Sequence, residues 1–387
     1  MFSNLNHCRN IKDFQLLAKK RLPSAIFHYI DGAAEDESTY RRNTLAFEGV
    51  DLVPNVLKDV SNIDISTTVM GQKLKMPLFC SPTALQRLFH FQGEEAVAKA
   101  ASDLGTMFGV SSLTTTTLDK IKSLPPCPKI FQFYYHKDKG LNRAMIESAK
   151  EANFDVLALT VDTITGGNRE RDLQTGFTSP PRLTPKTLLS FLTHPYWTFN
   201  YLTHEKFRLP LMENYVKEGS KISITVGEYF STMLDQSLNW DKASELRDLW
   251  GGQFCLKGIM STKDAKTAAS IGASGIMVSN HGGRQLDGAR SPFDQISEVT
   301  DAVGDELDVI LDGGIRRGSH VLKALASGAK ACSGGRMYLY ALAAGGQEGV
   351  RKALGIMREE IIRDMKLMGT STISELNSSM LRRRNKF

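Results

Sequence analysis

Short apolar runs alternate along this chain with segments whose apolar positions recur every three to four residues. The first run is Pro77–Cys80, and the segment after it, Gly93–Leu104, has helical spacing. Further runs are Met107–Ser111, Lys129–Tyr134, Val156–Val161, Gln253–Lys257, Gly275–Ser279, Asp308–Asp312 and Lys330–Gly334. Helical patterns follow most of them, among them Asn142–Ala152, Thr262–Ile271 and Gly318–Ser327. Alternating strands and helices predict parallel pairing through right-handed crossovers. Eight strand candidates match a closed (β/α)8 TIM barrel, an α/β fold. A doubly wound sheet is the alternative, weakened because no G-x-G-x-x-G follows an early strand.

The pattern fits one domain. Residues 1–75 precede the barrel and are expected to cap it, 76–376 form the barrel, and 377–387 are a tail. A long excursion after the fourth strand, residues 163–240, holds Ser179-Pro180-Pro181-Arg182 and the aromatic run His194-Pro195-Tyr196-Trp197-Thr198-Phe199-Asn200-Tyr201-Leu202. A connection of that length in a compact barrel is usually functional or disordered.

Composition narrows the function classes. With 41% hydrophobic and 23% charged residues in 387, the chain reads as an ordinary globular protein. Its net charge of +6 is spread out, with no block of five or six Lys/Arg, which disfavours a nucleic-acid binder and leaves an anionic substrate or membrane surface open. The five cysteines include no C-x-x-C pair, so free thiols in a reducing, cytoplasmic compartment and no metal site are expected. Neither a signal-peptide core nor 18 continuous apolar residues occur, so no transmembrane helix is expected.

The βα loops of a barrel converge at the C-terminal ends of its strands. Those ends carry Ser81-Pro82-Thr83-Ala84, Ser111, Gln132-Phe133-Tyr134, Thr160-Val161-Asp162, Lys257, Ser279-Asn280-His281-Gly282-Gly283-Arg284, Asp312-Gly313-Gly314-Ile315-Arg316 and Gly334-Gly335-Arg336. The last two loops read as a phosphate site, with glycines for close backbone approach and Arg316 and Arg336 for charge, although tight turns alone would also use such glycines. His281 is the candidate general base, because imidazole titrates near neutrality. Asp162 is placed to orient it, or else to cap its loop. Arg169 and Arg284 can clamp a carboxylate, with Tyr29 and Tyr134 as hydrogen-bond donors or simply packing. Lys257 suits either a Schiff base or stabilisation of negative charge on a cofactor.

At these residues the chain resembles the FMN-dependent L-2-hydroxy acid dehydrogenases and oxidases, from about Phe14 to Leu376. The most specific match is Ser279-Asn280-His281-Gly282-Gly283-Arg284-Gln285-Leu286-Asp287. Tyr29-Ile30-Asp31-Gly32, Pro82-Thr83-Ala84, Thr160-Val161-Asp162-Thr163 and Leu311-Asp312-Gly313-Gly314-Ile315-Arg316-Arg317-Gly318 are similar too. The resemblance implies that His281 is the catalytic base, with Asp162 behind it, and that Tyr29, Tyr134, Arg169 and Arg284 bind substrate. It implies FMN contacts from Pro82, Thr83, Ala84, Ser111, Gln132, Thr160 and Ser279. Lys257 then sits beside the flavin as a charge rather than a Schiff base. The ribityl chain and phosphate fall to Asp312, Gly313, Gly314, Ile315, Arg316, Gly335 and Arg336.

The excursion most resembles that of membrane-associated bacterial L-lactate dehydrogenases. That implies peripheral contact with the cytoplasmic face of a membrane through 183–212, aided by Lys186, Lys206 and Arg208, with electrons passing to a quinone-type respiratory acceptor. Family members commonly assemble, so a homo-oligomer is expected. Phe91 departs from the resemblance, standing where many members have proline, as does Leu113, where glycolate oxidases have tryptophan. The alternatives are a soluble oxidase using oxygen, a dehydrogenase of mandelate or another 2-hydroxy acid, an FMN-dependent isomerase, and an FMN-binding sensor barrel.

Overall fold

The computed structural model describes residues 4–177, 185–205, 207–213 and 232–384. The Ser179-Pro180-Pro181-Arg182 motif, Lys206 and the side chain of Lys186 lie outside the described residues.

Eight parallel strands close into a barrel: β1 Leu78–Thr83, β2 Phe108–Ser111, β3 Lys129–Phe133, β4 Val156–Thr160, β5 Gln253–Ile259, β6 Gly275–Ser279, β7 Asp308–Asp312 and β8 Ala331–Gly334. Each pairs with its sequence neighbours, and β8 closes on β1 through Cys332 and Leu78. The apolar runs located every strand. Two are longer than expected, since β1 reaches Thr83 and β5 reaches Ile259. In both, the register slips by a bulge, between Cys80 and Thr83 and between Lys257 and Ile259. A bulge lets a strand continue through polar or glycine residues, which an apolar run cannot register.

One end of the barrel is sealed. Phe79, Ile130, Val156, Cys255, Met277, Ile310 and Ala331 point inward from seven of the strands and are fully buried. A hairpin, Thr67–Val69 with Gln72–Leu74, inserts Val69, Met70 and Leu74 beneath them, and the Met70 N–H donates to the Asp308 carboxylate at the start of β7. The open end is therefore the C-terminal one. Of the three helices before the barrel, Ile11–Arg21, Ser24–Asp31 and Ser38–Leu45, the second and third lie over it and line it. The first opens on an Asn10 side chain that accepts from Asp13 N–H and ends in Lys19, Lys20 and Arg21, which complement its dipole. The last strand, Leu381–Arg383, pairs antiparallel with Val50–Leu52 and ties the tail to the cap.

The excursion after β4 forms the helices Glu170–Thr175, Pro185–Leu192 and Pro195–Thr203, and the chain returns through Trp240–Trp250 to β5. Trp197 is buried and its indole N–H donates to Leu88 O at 2.8 Å, while Met212 is also in the core. The same segment turns Leu189, Leu192, Tyr196, Phe199 and Leu202 outward, each more than half exposed. No described helix is long and apolar enough to cross a membrane. Cys8, Cys80, Cys255 and Cys332 are buried and Cys127 partly so, all as free thiols.

Candidate active site

The open end holds a cleft whose empty space, open mouth included, is about 1150 Å³. Of the residues singled out from the sequence, all but Asp162, Thr160 and Ser279 line it. Those three stand directly behind lining residues and fix them.

Asp162 Oδ1 lies 2.9 Å from His281 Nδ1, and Thr163 Oγ1 donates to the same carboxylate oxygen at 2.8 Å. With Nδ1–H given to Asp162, the lone pair of the neutral ring is on Nε2. Burial pulls His281 below its ordinary pKa and Lys257 and Arg284 add to that, while Asp162 pulls the other way. Burial raises Asp162, but His281 and Lys257 outweigh it and keep the carboxyl ionised. His281 adopts φ 58°, a left-handed conformation uncommon outside glycine and typical of strained functional positions. Gly258, in the β5 bulge at φ 109°, makes room for Asp162, since a Cβ there would lie 2.6 Å from its side-chain carbons.

Lys257 Nζ is 3.3 Å from Asp312 Oδ2 and 3.2 Å from Ser279 Oγ, which itself donates to Asp312 at 2.7 Å. Ser333 Oγ donates to the other Asp312 oxygen at 2.7 Å. Burial opposes the Lys257 charge, but Asp312 and Asp162 override it and raise its pKa, so the cleft wall carries a permanent cation. Beside it, Gln132 is held by Ser111 Oγ at 2.9 Å and by Thr160 Oγ1 at 2.7 Å.

Two guanidinium groups converge on the Tyr29 ring, Arg284 at 4.8 Å and Arg169 at 5.5 Å from its centroid. Arg284 Nη1 donates to Tyr29 O at 2.7 Å and Gly32 O at 2.9 Å. Among the described residues, the one ion pair of Arg169 is a loose one to Asp172 at 3.6 Å. Burial, and after it the charge of Arg169, press Arg284 down to about 10. Burial pushes the Tyr134 phenol up, so it stays a proton-bearing donor.

At the far end, Gly313 and Gly314 turn at φ 133° and 75°, and a Cβ on Gly314 would lie 2.0 Å from Asn43 O. Gly335 caps the long helix Arg336–Met368, whose N-terminus faces the cleft as a natural anion site. Among the described residues, Arg316 donates only through Nη1, to the adjacent Ile315 O. Arg336 also lines the cleft, but it commits Nε, Nη1 and Nη2 to Ile30 O, Gly282 O and Gly32 O.

Several lining residues carried no local motif. Asn43 and Asn280 exchange side-chain amide bonds, both at 2.8 Å, and so dock the helix Ser38–Leu45 onto the loop after β6. Tyr40 stacks on Arg336 at 4.5 Å, and Phe89 and Leu339 add apolar wall. Thr39 and Asn43 stand four apart in the helix Ser38–Leu45, on one face, and both are buried.

A model of the FMN-dependent dehydrogenases matches residues 18–383. The chain belongs to the FMN-dependent dehydrogenase family. It is 39% identical over 378 residues to an L-lactate oxidase of Nostoc, covering 96% of this chain and 97% of that protein. It is 36% identical over 370 residues to a glycolate oxidase of Spinacia oleracea, covering 96% and 94%. Among solved structures, the monotopic membrane protein (S)-mandelate dehydrogenase superposes with a TM-score of 0.92 at 33% identity, covering 98% of this chain and all of that one. As a member of this family the chain is an FMN-dependent oxidoreductase acting on the CH–OH group of 2-hydroxy acids. The residues lining the cleft fit that cofactor in their chemistry: the Gly313–Gly314 turn, a helix N-terminus and Arg316 suit a phosphate, and the Lys257 charge with the Gln132 amide suits the polar edge of a flavin.

Proposed function

We propose that the chain oxidises L-lactate to pyruvate at a membrane surface and passes the electrons to a quinone. The observation that carries the chemical part is His281, backed by Asp162, lining the same cleft as the paired Arg169 and Arg284. Arg169 and Arg284 hold the substrate carboxylate, and Tyr29 and Tyr134 donate to its oxygens. His281 Nε2 takes the substrate proton, and Asp162 stabilises the imidazolium that results. Ser111, Gln132, Lys257, the Pro82–Ala84 strip, the Asp312–Arg316 loop, Gly335 and Arg336 hold FMN, with Thr160 and Ser279 bracing Gln132 and Lys257 from behind. FMN, when bound, supplies the two-electron acceptor. Leu113 and Phe89 line the apolar part of the cleft and suit a small aliphatic substituent.

The likeness to (S)-mandelate dehydrogenase favours a second reading, an aryl substrate. Anaerobic titration of the yellow protein with L-lactate, glycolate and L-mandelate decides between them, since only a true substrate bleaches the flavin band. A protein that takes up no FMN, or is bleached by none of the three, defeats the proposal. One equivalent of hydrogen peroxide per turnover in air would make the chain an oxidase instead.

The pH profile has a defined sign. His281 must be neutral to accept a proton, and its pKa is lowered from 6.5. The flavin reduction rate should therefore be flat near neutrality and fall only as pH drops through a value below 6.5. Asp162→Asn should move that limb further down, because the Asp162 charge is what opposes burial. A limb above 6.5 in stopped-flow reduction would refute the assignment of the base.

Membrane contact rests on the outward Leu189, Leu192, Tyr196, Phe199 and Leu202. Arg208 contributes less than its charge implies, being paired with Glu205 and Glu213. Deleting Leu183–Met212 would release the protein but also remove the buried Trp197 and Met212. The cleaner variant is Phe199→Ser with Leu202→Ser. It should weaken binding to anionic vesicles on the order of 100-fold, from lost apolar burial, while bleaching by substrate survives. Unchanged vesicle binding would overturn the contact.

A further inference from the structure

Asp172 has no part in the chemistry assigned so far, yet it stands beside the arginines on which that chemistry depends. It follows Arg169 by three positions, on the helix Glu170–Thr175, and its Oδ2 lies 3.6 Å from the Arg169 guanidinium. We propose that Asp172 is a resident counter-anion of the Arg169–Arg284 pair, loose enough for a substrate carboxylate to supplant, and that it sets how tightly hydroxy acid and oxo acid bind, an inference that rests on that pair being the carboxylate clamp.

The Asp172 carboxylate is buried but poorly engaged. A charge-assisted bond between guanidinium and carboxylate runs at about 2.7–2.9 Å, so the contact to Arg169 is an attraction without a hydrogen bond. Its other oxygen, Oδ1, is buried and has no hydrogen-bond partner among the described residues. A carboxylate whose task was to fix an arginine in place would engage it closely and satisfy both oxygens.

The loop does not need this carboxylate for its own position. Gly167 N–H donates to Gln285 Oε1 at 3.1 Å, and Glu35 N–H donates to Asn168 O at 2.8 Å. Arg171, next to Asp172, pairs with Asp31 at 3.0 Å and with Glu37, which locks the same helix to the cap. Arg169 is therefore carried on a frame braced by its neighbours on both sides.

The field of Asp172 nevertheless reaches both clamp residues. Burial raises its pKa above the usual carboxylate range, although Arg284, Arg169, Arg171 and His28 all pull it down. Asp172 in turn is one of the charges that oppose the lowering of Arg284. Two arginines and one aspartate leave a single positive charge, which one substrate carboxylate cancels. Without Asp172 the pair would present two, and any monocarboxylate would bind more tightly. Oxidation at the hydroxyl carbon leaves the carboxylate unchanged, so the clamp grips product as it grips substrate, and such uniform binding does not speed the chemical step. A loose internal anion weakens both and favours release of the oxo acid.

The test uses propionate, which keeps the carboxylate of lactate and has no hydroxyl to oxidise. FMN-loaded wild type, Asp172→Asn and Asp172→Ser are titrated with propionate, read by the flavin spectrum and by competition with bleaching by the hydroxy acid, with Arg284→Lys alongside. Both Asp172 variants should bind propionate about three- to tenfold more tightly, the scale of a weak ion pair released near the ligand. KM for the hydroxy acid should fall and inhibition by the oxo acid should strengthen by a similar factor, while the flavin reduction rate at saturating substrate does not rise. A residue that merely held Arg169 in place would give the opposite sign. Weaker or unchanged propionate binding in the Asp172 variants, with the loss in Arg284→Lys intact, would overturn the proposal and leave the clamp standing. Wild-type propionate binding in Arg284→Lys would overturn the clamp and the proposal together. Loss of FMN or of folded protein in both Asp172 variants would make Asp172 part of the frame and overturn the proposal.

Discussion

Replacing His281 with alanine should leave a yellow, FMN-loaded protein whose flavin the hydroxy acid bleaches about 10²–10⁴-fold more slowly, the contribution of a positioned base. The geometry makes this loss specific. His281 is a quarter exposed at its side chain, and its ring bonds run to Asp162 and Thr163 rather than to the barrel core. The cofactor slot is braced separately, through Lys257, Ser279, Asp312 and Gln132. The backbone at 281 is left-handed, which strains alanine by about 1–3 kcal/mol. His281→Asn is the companion variant, since asparagine tolerates that conformation and still offers no base. Stopped-flow reduction and the flavin spectrum read the two effects apart. Reduction within tenfold of wild type in both variants would remove His281 from the chemistry.

The barrel was legible because each strand interior faces either the sealed core or the helices, so apolar residues run unbroken through it. Gly275–Ser279 and Asp308–Asp312 were located to the residue. What escaped were the bulges at Thr83 and Gly258, where polar chemistry rides on strand geometry. Candidate site residues were legible for a related reason: the fold delivers strand ends to one rim, and those ends are short and polar. The cap was not. Asn43 meets Asn280 across 237 positions of sequence, and no local pattern announces a pair of amides that distant. Thr163 sat inside a quoted motif without a role, because its hydroxyl gains meaning only beside Asp162 and His281 in space. Phe89 was silent for the same reason, an apolar residue whose interest lies in the cleft it lines.

Arg284→Lys should raise the KM for the hydroxy acid by about 10–150-fold while FMN affinity changes little, since a charged hydrogen bond is worth about 1.5–3 kcal/mol. Arginine does two things at this position. Its Nη1 ties Tyr29 O and Gly32 O, holding the cap helix over the cleft, while Nε and Nη2 have no protein partner among the described residues and remain for a carboxylate. A lysine keeps a charge but has one nitrogen and no planar fork, so it cannot serve both. Burial adds a second defect. The site already presses arginine down to about 10, through burial and the neighbouring Arg169, and a lysine starts from a lower intrinsic pKa. The lysine variant should therefore lose its proton within the working range, and its KM defect should deepen as pH rises above neutrality. Arg169→Lys is the internal control, because among the described residues Arg169 ties no backbone carbonyl and has the loose pair with Asp172 and the Tyr29 ring beside it. It should raise KM without lowering the melting temperature, whereas Arg284→Lys should do both. A KM for Arg284→Lys that matches wild type and is flat with pH would mean that Arg284 serves the cap alone and that the substrate carboxylate is held elsewhere.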